Sequence, residues 1–449
     1  MRLFGTDGIR GTINRSPMTP EQVLRIGMAA AKVLRKEQGR HMVLIGKDTR
    51  LSGYMIESAL TAGICSMGMN VTLTGPIPTP GVAFLTRALR LDAGIVISAS
   101  HNPFEDNGIK FFSSEGFKLP DYLEEKIEEL VSDEGLGARR PSGAEIGKAY
   151  RLDDATGRYI EYIKSTIPKG ITLEGLRVVV DCANGAAYKV TPWVLRELGA
   201  EVITINDRPD GININAGCGS LHMASLCEAV RFHEADAGVA HDGDGDRTLM
   251  CDEDGTLVDG DKILGIWAVQ MRKERCLSGD TAVSTVMSNL GLENYLSAHG
   301  IKLVRTRVGD RFVTEKMLEG GYVLGGEPSG HIISLQCNTT GDGPITALHI
   351  LCAMRKENVP LSELVNEIRF YPQTLVNVPV GKKADMKSYP EIVKVIEEAE
   401  RRLMGRGRVL VRPSGTEHKI RVMVEADDEK LVERLANRIA GIIKKTMSG

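Results

Sequence analysis

Residues 93–100 read AGIVISAS and run directly into HNPFEDNGIKFF, residues 101–112. The apolar start of this stretch has the length and composition of a strand buried on both faces. Ser98, Ser100 and His101 then stand at the carboxyl end of that strand, the edge where open α/β sheets bind ligands. Upstream the same grammar recurs. Thr19, Pro20 and Gln22 have the types of an N-cap, a first-turn proline and a capping-box partner. Val23, Gly27, Ala31 and Leu34 follow at helical spacing, and HMVLIGKDTR supplies a short apolar run ending in a polar turn. A helical pattern from Tyr54 leads into MNVTLTG, and another around Ala83 leads into AGIVISAS. Each unit is a helix feeding a buried strand, which predicts an α/β fold.

Extended along the chain, the pattern gives three consecutive mixed-sheet α/β domains and a smaller C-terminal α+β domain. The boundaries fall at 1–167, 168–257, 258–371 and 372–449, with PKG near 168 as a linker. A helix is expected over about 152–166, and the last segment reads strand, helix, strand, strand, helix. The length of 449 residues alone suggests about three domains, so the tail is an addition to that count. No fixed-period repeat is evident in the sequence.

Composition narrows the class. With 42% apolar and 26% charged residues the chain is neither disordered nor built for a bilayer, and no apolar run reaches 18 residues. Lys plus Arg number 56 against 59 Asp plus Glu, a net charge of −3, too balanced for nucleic-acid binding by bulk charge. The N-terminal MRLFGTDGIRG is interrupted by Asp7 and Arg10, so no secretory signal and a cytoplasmic location are expected. The eight cysteines show no CxxC or zinc spacing and read as reduced, buried side chains. Glycine is the outlier, at 49 of 449 residues or about 11% against an average near 7%. An excess of this kind implies many tight turns and close backbone approaches.

One such turn is HDGDGDR, residues 241–247, where Asp242, Asp244 and Asp246 alternate with glycines. On a flat strand the carboxylates would lie ~6.6 Å apart. The glycines let the chain curl so that three hard oxygen donors converge, a set that favours Mg²⁺. Asp242, Asp244, Asp246 and Glu253 also fall at EF-hand positions 1, 3, 5 and 12, but Arg247 occupies the position needing glycine and the flanks read as strands. A structural turn with solvated aspartates is the plain alternative. In the serine loop neither a GxSxG elbow nor a Walker A pattern is present. By spacing alone Ser100 could as well cap a turn before Asn102 and Pro103.

SASHNP, DNGIKFF, DGDGDR, GGEPSGH and RPSGTE occur in that order over residues 98–417. Together they resemble the α-D-phosphohexomutase superfamily. FGTDGIRG, GKDTRLSGYM and VGDRFV make the likeness greatest to its bacterial branch acting on glucosamine phosphates. The resemblance implies four domains around a central active-site cleft and a phosphoserine at Ser100, with Mg²⁺ held by Ser100, Asp242, Asp244 and Asp246. It implies Lys110 as general acid/base, His101 orienting or sharing that role, and Arg247 and Arg10 facing the transferring phosphate. Glu327, Ser329 and His331 would hold sugar hydroxyls, with Pro328 where relatives carry a polar residue. Arg412, Ser414, Gly415, Thr416 and Arg421 would hold the second phosphate, with His418 in place of a common proline.

The implied activity is reversible interconversion of glucosamine 6-phosphate and glucosamine 1-phosphate through a sugar bisphosphate, on the route to UDP-N-acetylglucosamine. The partner is then a small hexosamine phosphate, with no nucleic acid or membrane, and a homodimer through the first domain is expected. A lysine acting as base needs a depressed pKa, which burial and cationic neighbours are expected to provide. A hexose mutase of the same superfamily, a Mg²⁺-dependent phosphatase and a non-catalytic sugar-phosphate sensor are the alternatives. A second, distant phosphate loop separates a mutase from a phosphatase.

Overall fold

The computed structural model describes residues 3–5, 7–35, 40–380, 388–413 and 419–447. It divides into two compact units, one of residues 1–287 and 299–367 and a second of 288–298 and 368–449.

The first unit holds three mixed sheets. Seven strands form the first: β1 (Phe4–Gly5), β2 (Gly8–Thr12), β3 (Met42–Lys47), β4 (Asn70–Pro76), β5 (Ala93–Ile97), β6 (Asp106–Ser113) and β7 (Ala149–Arg151). Their order is β1-β2-β6-β5-β3-β4-β7. Helices α1 (Pro20–Leu34), α2 (Ser52–Ser66), α3 (Thr79–Ala88), α4 (Asp121–Ser132) and α5 (Ala155–Ser165) follow the chain through this region. The second sheet contains β8 (Arg177–Asp181), β9 (Glu201–Ile205), β10 (Ala237–His241), β11 (Thr248–Asp252) and β12 (Leu257–Val258), in the order β12-β11-β10-β8-β9. Helices α6 (Val190–Glu197) and α7 (Ala224–Phe232) connect its parallel strands. After α8 (Gly260–Lys273) come β13 (Thr281–Thr285), β14 (Lys302–Thr306), α10 (Asp310–Gly320), β15 (Leu324–Gly326) and β16 (Ile332–Ser334), while α9 (Leu290–Ala298), between β13 and β14 in the chain, belongs to the second unit. The third sheet has the order β14-β13-β15-β16, and α11 (Gly343–Glu357) and α12 (Leu361–Asn366) close the unit.

A common plan underlies these sheets. In each, a central strand pairs in parallel with two neighbours, and the second of those neighbours pairs antiparallel with the next strand of the chain: β5 with β6, β10 with β11, β15 with β16. The chain therefore carries a threefold topological repeat that no sequence period reveals, because a shared topology needs only matching strand and helix order. The loops 98–105, 242–247 and 327–331 occupy equivalent places, each leaving the carboxyl end of a strand at the change from parallel to antiparallel pairing. Strands β5, β10 and β13 are buried along their whole length, as sheets covered on both faces require.

The second unit is smaller. Its antiparallel sheet, β17 (Gln373–Pro379), β18 (Gly407–Pro413) and β19 (Lys419–Ala426), has β19 in the centre. Helices α13 (Pro390–Leu403) and α14 (Glu429–Met447) complete the expected strand-helix-strand-strand-helix order. Ile392, Val422, Val424, Leu435 and Ile439 contribute to its own apolar core.

The N-cap reading of α1 holds with one adjustment. Thr19 caps α1 by accepting from the Gln22 amide at 3.4 Å, but the Gln22 side chain donates to Ser16 Oγ instead of completing a capping box. Within FGTDGIRG, Phe4 and Gly5 pair antiparallel with Ile9 and Gly8, and β2 pairs with β6, placing Arg10 opposite Gly108. Helices α1 and α2 pack through glycine: a Cβ on Gly63 would meet Leu24 O at 2.3 Å, and one on Gly27 would meet Leu60 O at 2.8 Å. Gly63→Ala should push these helices apart and cost roughly 1–3 kcal/mol by overpacking. Urea denaturation measures the loss, and an unchanged midpoint would refute this account of the packing.

Candidate functional site

Strand β5 is buried and ends at Ile97, so Ser98, Ala99 and Ser100 leave the sheet edge still enclosed. Ser100 is 1% exposed and has φ of 53°, a left-handed backbone that costs a non-glycine residue about 1–2 kcal/mol. Its Oγ donates to Asp242 Oδ2 at 2.6 Å and lies 3.3 Å from His101 Nδ1. The serine loop of the first sheet and the aspartate loop of the second thus meet at their functional side chains.

Asp242, Asp244 and Asp246 are buried and offer oxygens within 4.8 Å of one another. The turn depends on glycine where expected: Gly245 has φ of 67°, and a Cβ on Gly243 would meet Ser100 O at 2.6 Å. His241 ties the turn closed, with Nδ1 3.1 Å from Arg247 O and Nε2 2.8 Å from Thr191 Oγ1. The flanking β10 and β11 pair antiparallel from Ala237↔Asp252 to His241↔Thr248, which excludes an EF-hand. Asp244 Oδ1 and Asp246 Oδ1 are buried without a hydrogen-bond partner. Such oxygens are costly unless a cation faces them; Asp246 Oδ1 has Arg247 and His331 nitrogens at 3.8 and 3.6 Å, and the set of three converging carboxylates fits a hard divalent metal.

Lys110, on β6, reaches Asp244 at 3.0 Å, Asp7 at 3.2 Å and Asp246 at 3.5 Å. Burial works against its charge, but the Asp244, Asp7 and Asp246 carboxylates outweigh it and hold the pKa above the ordinary lysine value. The depressed lysine pKa expected from the sequence is therefore corrected: its near neighbours are mainly anions. The depressed group is His101, which burial and the Arg247 and Arg10 guanidinium groups bring down to about 4. Burial, then Asp246 and Asp244, push the Asp242 carboxyl well above the usual range. For Asp246 burial is overcome by Lys110, His331 and Arg247, which hold it low. Arg247 Nε lies 3.8 Å from Asp246, and Arg10 pairs with Asp7.

The third loop sits against the second. Thr248 N donates to Gly330 O at 3.1 Å, and a Cβ on Gly330 would meet Thr248 O at 2.1 Å. Glu327 accepts from Gly309 N at 3.1 Å, and Ser329 Oγ is buried without a hydrogen-bond partner. Pro328 cannot donate, but its carbonyl accepts from Gly260 N at 3.1 Å. His331 is 3% exposed and lies between Asp246, at 3.6 Å, and Asp310, at 3.4 Å. In the second unit, Arg412 and Arg421 stand directly opposite on β18 and β19. Burial and the facing Arg421 charge lower the Arg412 pKa, a pairing that repels unless an anion lies between. Ser414, Gly415, Thr416 and His418 lie outside the described residues.

Several residues of this site escaped sequence reasoning. Thr79, at the start of α3, donates to Asp244 Oδ2 at 2.7 Å. Lys118 pairs with both Asp7 and Asp310 at 2.5 Å. No spacing joins residues 7, 118 and 310; only the charge types hinted at them. Burial opposes the charge of Asp7 and Asp310, but lysine neighbours hold both pKa values below the ordinary one. Their stabilisation is therefore present above pH ~4 and is lost as pH falls through the lowered values. Lys118→Met should cost about 2 kcal/mol at pH 7, with the difference shrinking below pH ~4 as the carboxylates protonate. Urea melts across pH measure this, and a pH-independent difference would contradict it.

Comparison with known proteins follows the same division. The chain matches phosphoglucomutase/phosphomannomutase alpha/beta/alpha domain I over residues 1–137, domain II over 157–255, domain III over 259–371 and the C-terminal domain over 375–442. It is 55% identical over 451 residues to the phosphoglucosamine mutase of Thermodesulfovibrio yellowstonii, covering 100% of both chains. With that of Citrifermentans bemidjiense it shares 54% identity, over 100% of this chain and 99% of the other. A phosphoglucomutase/phosphomannomutase family protein from Burkholderia thailandensis shares the fold with a TM-score of 0.82 at 24% identity, over 99% and 97% of the two chains. So does the Aspergillus fumigatus N-acetylphosphoglucosamine mutase solved with GlcNAc-6P and magnesium, with a TM-score of 0.66 at 18% identity, over 99% and 96%.

Proposed function

The chain belongs to the phosphoglucomutase/phosphomannomutase family, and on that footing we propose that it is an isomerase interconverting glucosamine 6-phosphate and glucosamine 1-phosphate. The observation that carries phosphoryl transfer is the 2.6 Å contact of Ser100 Oγ with Asp242, inside a buried cluster of three carboxylates. The amino-sugar choice rests on the full-length identity with phosphoglucosamine mutases.

In this reading Ser100 carries a phosphoryl group. A free hydroxyl of the bound glucosamine monophosphate attacks its phosphorus, the bond to Ser100 Oγ breaks, and a sugar bisphosphate forms. The bisphosphate turns end for end, and the freed Ser100 hydroxyl attacks its other phosphate, releasing the isomeric monophosphate. In the first transfer Lys110, held charged, gives a proton to the departing Ser100 Oγ while neutral His101 takes the one leaving the sugar hydroxyl, and in the second transfer both protons go back. Arg247 and Arg10 set positive charge beside the transferring group. Mg²⁺ bound by Asp242, Asp244, Asp246 and the Ser100 group would supply charge neutralisation for that transfer and compete with Lys110 for the same carboxylates. Glu327, Ser329 and His331 hold the sugar hydroxyls. Arg412 and Arg421, with Ser414, Gly415 and Thr416, take the distal phosphate. The domains are 1–167, 168–257, 258–371 and 372–449, each carrying one of these loops.

Ser100→Ala should abolish conversion of glucosamine phosphates supplied with glucosamine 1,6-bisphosphate, and intact mass should show one phosphate on the parent and none on the variant. Near-parent turnover by the variant would sink the proposal. Mannose and glucose phosphates with their own bisphosphates should turn over less well, and stoichiometric release of inorganic phosphate would mark a phosphatase instead. Chelation by EDTA should remove activity and added Mg²⁺ restore it. Mg²⁺ at about a hundred times its Kd should stabilise the fold by ~2.7 kcal/mol. Asp244→Asn should lose both the activity and the rise in Tm.

A further inference from the structure

Among the described residues Arg50 heads the largest fully buried side chains, and no part of the proposed chemistry uses it. It lies just beyond β3, and Ser98 lies just beyond β5. These are adjacent parallel strands in the register Lys47↔Ile97, so both segments emerge at one sheet edge. The Arg50 guanidinium pairs with Asp48 and donates through Nη2 to Ser100 O at 3.2 Å and Asn102 O at 2.5 Å. Asp48 Oδ2 accepts from Ser98 Oγ at 2.5 Å, and Ser98 Oγ accepts from Ser100 N at 2.9 Å. From the second sheet's region, Asn215 Nδ2 donates to the same two carbonyls, Ser100 O at 2.9 Å and Asn102 O at 3.1 Å. The carbonyl of Ser100 is thus gripped by two side chains distant in sequence, and its amide by Ser98, whose hydroxyl Asp48 anchors.

We propose that Asp48, Arg50 and Asn215 are positioning residues for phosphoryl transfer, holding Ser100 in the left-handed backbone conformation that aims its Oγ at Asp242. A relaxed serine would leave that conformation. Glycine would adopt it freely but has no hydroxyl to phosphorylate, so the strain must be opposed by surrounding contacts. Arginine is suited because its planar fork reaches the Asp48 carboxylate and two carbonyls at once. Lysine can keep the ion pair with Asp48 but not the whole grip. This inference rests on Ser100 being the phosphoryl carrier.

The test compares the full-length parent with Arg50→Lys and Asn215→Ala, measuring kcat, KM for glucosamine 1-phosphate, phosphate on Ser100 by peptide mass, and Tm. A misaimed nucleophile should lower kcat of Arg50→Lys about 100-fold, with KM within about twofold of the parent. Asn215→Ala, which removes one donor of the pair, should lose roughly tenfold in kcat at unchanged KM. Folded Arg50→Lys with kcat within about threefold of the parent overturns the proposal. So does a loss of activity that tracks the unfolded fraction at the assay temperature. If Arg50→Lys does not fold, Asn215→Ala decides, and parent-like kcat there overturns it. A parent that carries no phosphate on Ser100 removes the premise and the proposed function together, whereas a phosphorylated, active parent with active variants removes this inference alone.

Discussion

Three carboxylates confined within 4.8 Å of one another and nearly sealed from water repel strongly. At that separation each pair costs ~3.5 kcal/mol for an effective dielectric constant near 20. The surroundings of Asp242, Asp244 and Asp246 answer that repulsion. Lys110 comes from the first sheet, Arg247 from the same turn and His331 from the third sheet, while Thr79 and Ser100 donate hydroxyl hydrogens. Each element that carries a compensating group is thereby tied to the second sheet. The chemistry of the site and the cohesion of the first unit share one electrostatic origin.

The threefold plan explains how three distant stretches reach one place. In each sheet the loop between the last parallel strand and its antiparallel neighbour carries the distinctive residues: Ser100 and His101, the three aspartates, then Glu327 to His331. Glycine makes the contacts between loops possible. Gly243 leaves room for the Ser100 carbonyl, and Gly330 for that of Thr248. The glycine excess of the composition is in part a record of backbone meeting backbone.

The side chains that act at long range carried the weakest signal. HDGDGDR announces a convergence of carboxylates because its residues are neighbours, and SASHNP announces a strand end because the apolar run gives way to polar residues there. Asp48 and Arg50 follow β3 just as Ser98 follows β5, but nothing in GKDTR states that the two strands are adjacent. Lys110 shows the limit in the other direction. Its identity was plain, while its protonation depends on which charges come near, and Asp7, 103 positions away in sequence, is among the groups that hold it positive.

What the sequence by itself determined is the alternation of helix and strand, the four-part order of the chain and the chemical type of each loop, since these rest on periodicity and on residues close together. Only the tertiary structure decided which strands are neighbours, that Asp242 receives the Ser100 hydroxyl, that Arg50 grips the serine loop, and that Lys110 is held charged. Those outcomes depend on Coulomb and hydrogen-bond terms that act over a few ångströms, and chain order does not say which residues come within that distance.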